Sequence, residues 1–137
     1  PAGAPAVEDL ANMIERDDPS VSWAAARSLG FIGSQAIGAV AVLEKAAASQ
    51  DALLQENAQR SIGLIVEVPK HLDALESDDG FKRGEAAAAL GLYGPACKVA
   101  VPKLVELLDD PDGFVRDSAA QSLKKIDPIT AQRHGIE

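Results

Sequence analysis

Asp79-Gly80-Phe81-Lys82-Arg83 and Asp112-Gly113-Phe114-Val115-Arg116 are nearly the same phrase written twice, with a step of 33 positions from Asp79 to Asp112. Holding that step lays Ala86 on Ala119, Ala87 on Ala120 and Leu90 on Leu123. Nearer the start, Asp18, Val21, Ala25 and Leu29 fall at the same step on Asp51, Leu54, Ala58 and Ile62, with Arg27 on Arg60 and Ser28 on Ser61. From Asp51 to Asp79 the step is 28, so five residues are missing from a connection between Gly63 and Pro69. A fixed period of roughly 20 to 50 residues marks a stack of supersecondary units, and the chain reads as four.

Each unit reads as two helices. Asp18, Asp51, Asp79 and Asp112 are placed to cap the second one, because a carboxylate at that position accepts from N–H groups that the first turn leaves unbonded. Pro19 suits the first helical position. Beyond the Asp, Val21, Ala25, Leu29 and Ile32, and likewise Val115, Ala119, Leu123 and Ile126, keep one helical face apolar. Gly33 and Gly94 hold equivalent places, where glycine suits the residue that closes a helix. Gly30, Gly63 and Gly91 lie a turn earlier, where glycine costs about 1 kcal/mol against alanine, and a close helix contact is the expected compensation. The first helices carry Leu10 and Ile14, Val40 and Leu43, Leu72 and Leu75, and Val101, Leu104 and Leu108 at helical spacing. Pro69 and Pro102 sit at helix starts.

Composition agrees with helices. Of 137 residues, 47% are hydrophobic, 25% charged and only 4% aromatic, with alanine and leucine dominant. The net charge of -8 gives no footprint for phosphate backbones, so nucleic acid is not an expected partner. The apolar stretches are broken by Gly, Glu or Pro before the roughly 20 residues that a membrane span requires, and no span is expected. Cys97 is the only cysteine and cannot form an intramolecular disulfide. The chain begins at Pro1 without a basic region and apolar signal core, and neither end carries an obvious polar cap; the expectation is a fragment or module of a larger protein.

Asp-x-x-Val-x-x-x-Ala-x-x-x-Leu-Gly-x-x-Gly, as it stands from Asp18 to Gly33, resembles a HEAT repeat, in particular the phycobilisome-lyase-like kind, and residues 79 to 94 and 110 to 126 are similar. The resemblance covers about residues 6 to 127. It implies an all-α fold: a right-handed α-solenoid of about four HEAT-type helix pairs. As a domain, 1–137 would be one HEAT-repeat unit with repeats at about 6–36, 37–66, 67–97 and 98–127 and a tail at 128–137. Arg83 and Arg116 hold the arginine usual near the start of the second helix, whereas Ser22 and Gln55 replace it, so any charged ladder is incomplete.

The resemblance implies a non-catalytic protein-protein interaction or scaffolding module that binds a protein partner, either separate or the rest of a larger polypeptide, on the concave face of the second helices. Five and nine residues after each capping Asp come Trp23 and Arg27, Glu56 and Arg60, Gly84 and Ala88, and Asp117 and Gln121. Trp23, Arg27, Glu56, Arg60, Asp117 and Gln121 are the expected contact residues, since aromatic and arginine side chains concentrate binding energy. Gly84 and Ala88 leave a smooth place between them, and the short joint after Gly63 is expected to change the local rotation of the stack. Two alternatives are a bilin-lyase-like or small-molecule carrier, with Cys97 and His71 as its chemical residues, and an accessory domain of a larger hydrolase such as a sulfatase.

No catalytic or metal-binding residue and no cofactor is expected. The iron-binding relatives need His-Glu pairs, but Leu72 follows His71 and Gly135 follows His134. Cys97 aligns with Ala36 and reads as a small apolar filler. The acids at Asp17-Asp18, Asp78-Asp79 and Asp109-Asp110 with Asp112 precede second helices, which makes capping a better account than calcium.

Overall fold

In the computed structural model, residues 3–16 and 18–137 are described, and the elements among them are all helical. The α-helices are α1 (Ala4–Ile14), α2 (Pro19–Ile32), α3 (Val40–Ala47), α4 (Ala52–Ile62), α5 (Val68–Ala74), α6 (Gly80–Gly91), α7 (Val101–Glu106), α8 (Gly113–Ile126) and α9 (Pro128–Arg133). The fold is of the α-solenoid kind, with helix pairs as its unit. Chain contacts divide it into two compact units, Pro1–Pro69 and Lys70–Glu137.

In the first unit α1 packs on α2, α2 on α4, and α3 on α4. Leu29, Leu43, Ala26, Ala36 and Ala58 are fully enclosed there, with Leu10, Ile32, Leu54 and Ile62 around them. In the second unit α8 is central and takes α6, α7 and α9 against it. Its core is Leu75, Leu90, Leu104, Val115, Leu123 and Ile126, interleaved with Ala86, Ala87, Ala100 and Ala119. Alanine at so many contacts lets helix backbones come close, which is why a chain poor in aromatics still packs tightly.

All four capping aspartates do as their spacing indicates: Asp18 accepts from Ser20 N–H, Asp51 from Leu53 and Leu54, Asp79 from Phe81, and Asp112 from Phe114. Two residues before three of them a second acceptor tightens the turn. Ser49 Oγ takes the Asp51 N–H, Ser77 Oγ that of Asp79, and Asp110 Oδ1 that of Asp112.

After α2 and α6 the chain turns at Gly33 (φ 71°) and Gly94 (φ 58°), each opening a seven-residue 3-10 segment, Gly33–Ala39 or Gly94–Ala100. Positive φ suits glycine because it has no Cβ. After α4 the equivalent position is Val66, a β-branched residue unsuited to that conformation. With the connector five residues shorter, α4 runs into a π-helical segment, Gly63–Glu67, which leads into α5. The irregular joint read from the repeat spacing is thus a helical stretch that has lost its 3-10 connector.

Two further points differ from or refine the reading of the sequence. Residues 128–133, where the sequence predicts only the start of a tail, form α9; Asp127 caps it through the Thr130 N–H and hydroxyl, and Ala131 is buried. The stretch Pro19–Ala47 is long and apolar enough in composition to cross a membrane. It breaks at Gly33 into α2 and α3, of 14 and 8 residues, each shorter than the roughly 20 that a span requires.

Candidate protein-binding face of the second helices

The second helices of each unit are held together by one repeated device. In the first unit the Ser61 hydroxyl donates to the Ala26 carbonyl at 2.7 Å, and in the second Ser122 donates to Ala87 at 2.6 Å. Opposite each serine is a glycine with no room for a side chain: a Cβ on Gly30 would stand 2.5 Å from Ser61 Oγ, and one on Gly91 2.5 Å from Ser122 Oγ. This is the close contact that compensates for glycine inside α2 and α6.

A second device ties each turn to the helix after it. Arg83 donates to the Ser77 and Asp78 carbonyls, and Arg116 to those of Asp110 and Pro111. Ser22 is in the same position of its repeat, and its hydroxyl lies within reach of the Ile14, Arg16 and Asp18 carbonyls at 3.1, 3.1 and 3.0 Å. A serine therefore serves where the third and fourth repeats use arginine. In the second unit alone Arg83 also forms a two-point ion pair with Asp110, Nε to Oδ2 and Nη2 to Oδ1, both 2.9 Å. Asp110 is only 8% exposed, and the Arg83 guanidinium holds its carboxyl below the usual carboxylate range.

With the inner faces committed to packing, the outward residues divide by unit. On α2, Trp23 is half-buried and Arg27 exposed, its guanidinium 5.5 Å from the centroid of the Phe31 ring. On α4, which packs against α2, Glu56 and Arg60 are exposed. Phe31 extends the aromatic character of this face by one turn, a contribution the five-and-nine spacing passes over. In the second unit Asp117 and Gln121 are exposed on α8, and Ala88 on α6.

Gly84 is not the open place that its missing side chain suggested. The Phe114 ring lies on it so closely that an added Cβ would overlap the ring. Phe114 in turn stacks on Phe81, with centroids 5.8 Å apart. The repeated Asp-Gly-Phe phrase carries that signal beside its repeat spacing and its capping Asp, since it sets a phenylalanine at the same place in two successive units.

The remaining chemically suggestive residues have structural surroundings. Cys97 is fully buried in the 3-10 connector, and burial pushes its thiol up to about 11, away from the thiolate that a nucleophile or thioether donor needs. His71 is half-buried beside α6, lining a shallow hollow with Ala74, Lys82 and Glu85. Asp18, Asp79 and Asp112 are engaged as caps, and Asp110 with Arg83; Asp17 lies outside the described residues. Among the described residues no group of three or more His, Cys, Asp or Glu is placed to hold a metal ion.

Helix pairs whose second helices stack through small residues, with an Asp cap at each start, define a helical-repeat protein. The family model for HEAT repeats matches residues 2–63 and 68–132, and the chain belongs to that family. The break in the match falls on the π-helical joint. No curated protein matches the sequence. Among solved structures, an engineered protein from the Northeast Structural Genomics Consortium is similar at 29% identity and a TM-score of 0.42, over 88% of this chain and 62% of that one. The chain thus spans less than two thirds of that protein's length.

Proposed function

We propose that the chain is a non-catalytic module that binds a protein partner, or another part of a longer polypeptide, through the outward face of its second helices. HEAT repeats generally mediate protein-protein interaction or scaffolding. The observation that carries the finer reading is the face made by α2 and α4. There a half-buried Trp23 and the stacked Arg27 and Phe31 lie on one helix, with Glu56 and Arg60 on the helix packed against it. A rigid aromatic beside mixed charge is the composition of a binding hot spot. Asp117 and Gln121 offer a second, polar contact surface on α8.

Immobilised chain would be used to capture a partner, which is then identified and its affinity measured against the intact protein and a Trp23→Ala, Arg27→Ala double variant. Loss of a hot spot corresponds to about 2 kcal/mol, or some thirtyfold in affinity. Equal affinity of a correctly folded double variant would reject the α2–α4 face.

A further inference from the structure

Phe81 and Phe114 are the largest apolar side chains that the second unit leaves in water, 60% and 45% exposed. Their rings are stacked, 20° from parallel. Gly84 makes this possible, because any side chain there would occupy the place of the Phe114 ring. The result is a stacked aromatic platform at the N-terminal ends of α6 and α8, partly open to water.

Carboxylates outnumber cations beside the platform. Asp79 and Asp112 stand two residues before each ring, with Asp78 alongside, and Asp117 follows Phe114 by one turn on the same helical face. Three cations lie nearby, and Arg83 among them is close enough to Asp79 and Asp112 to be favoured by both. Arg83 is engaged by Asp110 and turn carbonyls, Arg116 by the Asp110 and Pro111 carbonyls, and Lys82 lines the hollow beside His71 with Glu85. A second copy of the chain would bring the same acids and another net charge of -8 against this surface. A basic segment brings the complementary sign, and the face of an aromatic ring attracts a guanidinium or ammonium group.

We infer that the Phe81–Phe114 platform docks a cationic peptide segment, with an Arg or Lys side chain over the ring faces and its neighbours paired with Asp117 and the capping carboxylates. This rests on the reading of the second-helix face as protein-binding and gives the partner's chemistry at the second unit.

The probe is a blocked peptide of alternating glycine and arginine with four arginines, titrated into the full chain at low salt and followed by the aromatic-ring NMR signals of the phenylalanines. A glutamate counterpart serves as the control of opposite sign. The arginine peptide should shift the Phe81 and Phe114 signals, and the glutamate peptide should not. Phe81→Ala and Asp117→Asn should each weaken binding about fivefold. Phe81→Leu, which keeps apolar bulk without a π face, should lose about as much as Phe81→Ala, while Ile37→Ala, at an exposed apolar residue of the first unit, leaves the affinity unchanged. Circular dichroism and Tm establish that each variant is folded.

Ring signals that stay fixed while the peptide binds, or Phe81 variants that bind as tightly as the parent chain, would overturn the inference. So would chains that associate through this face without peptide. A partner captured through α2 and α4 and untouched by competing arginine peptide would sink the inference and leave the wider reading standing. Peptide bound at the platform, with no role for Trp23 or Arg27 in partner capture, would do the reverse.

Discussion

Gly30 and Gly91 set how closely the second helices approach, and each faces a serine whose hydroxyl is already committed to a backbone carbonyl. A methyl group at Gly91 would meet not only Ser122 Oγ but also its Cα, at 3.1 Å, so relief requires α8 itself to move. Gly91→Ala should therefore lower stability by about 1–3 kcal/mol despite alanine's better helix propensity. Gly38→Ala is the control: nothing lies within 4 Å of its Cβ position, and the change should be neutral or stabilising by up to about 1 kcal/mol. Urea unfolding of the two variants beside the parent checks both signs. Cys97 gives a second residue-scale test. Fully buried and with its thiol pushed up to about 11, it should resist a thiol reagent at pH 8 in the native state and react promptly once denaturant is added. The alanine at the equivalent Ala36 shows that the site accepts a smaller side chain, so Cys97→Ala should cost less than about 1.5 kcal/mol.

Elements begin where the sequence places an acceptor. Asp51 takes two backbone N–H groups at the start of α4, so Asp51→Ala should cost about 1 kcal/mol, read as a lowered thermal midpoint, with Asp51→Asn retaining most of the stability. These starts were legible because capping depends on a side chain and the two or three residues after it. The ends of α2 and α6 were legible for a similar local reason, the glycines at positive φ. The course of the chain after α4 was legible only as a shortened spacing. Whether five missing residues remove a turn or a stretch of helix depends on whether the remaining backbone can stay hydrogen-bonded, and here it does so as a π-helical segment. Helix α9 is not legible in the sequence because Asp127-Pro128 looks like a stop. It is also a start: Asp127 is a cap, Pro128 is at the first helical position, and Ala131 reaches the core.

For the molecule as a whole, acid is the informative perturbant. Asp110 is held below the usual carboxylate range by Arg83, Asp18 by the Ser20 hydroxyl, Glu76 by Lys103 and Asp127 by the Thr130 hydroxyl. A carboxylate whose folded pKa is depressed contributes its stability above the ordinary range near about pH 4, and loses it as pH falls through the folded value. Tm should thus be flat around neutrality and drop on acidification below that range. Asp110→Asn should be less stable than the parent at pH 7, and the gap should close as the parent's Asp110 protonates. A gap unchanged down to about pH 2 would show that shape, not charge, is what Asp110 supplies.

The sequence by itself determined the repeat, its 33- and 28-residue steps, the four caps and the apolar faces, because each depends on residues within one or two helical turns of one another. It also gave the candidates Trp23, Arg27, Glu56, Arg60, Asp117 and Gln121 their places on the second helices. Tertiary structure alone decided what stands across from each of them. Gly30 and Gly91 proved to face serines, Ser22 to serve in place of an arginine, and Gly84 to be covered by a phenylalanine from the next repeat. Periodicity states which way a side chain points along its own helix; which neighbour fills the space it leaves is fixed only when two helices, some 30 residues apart in sequence, are packed together.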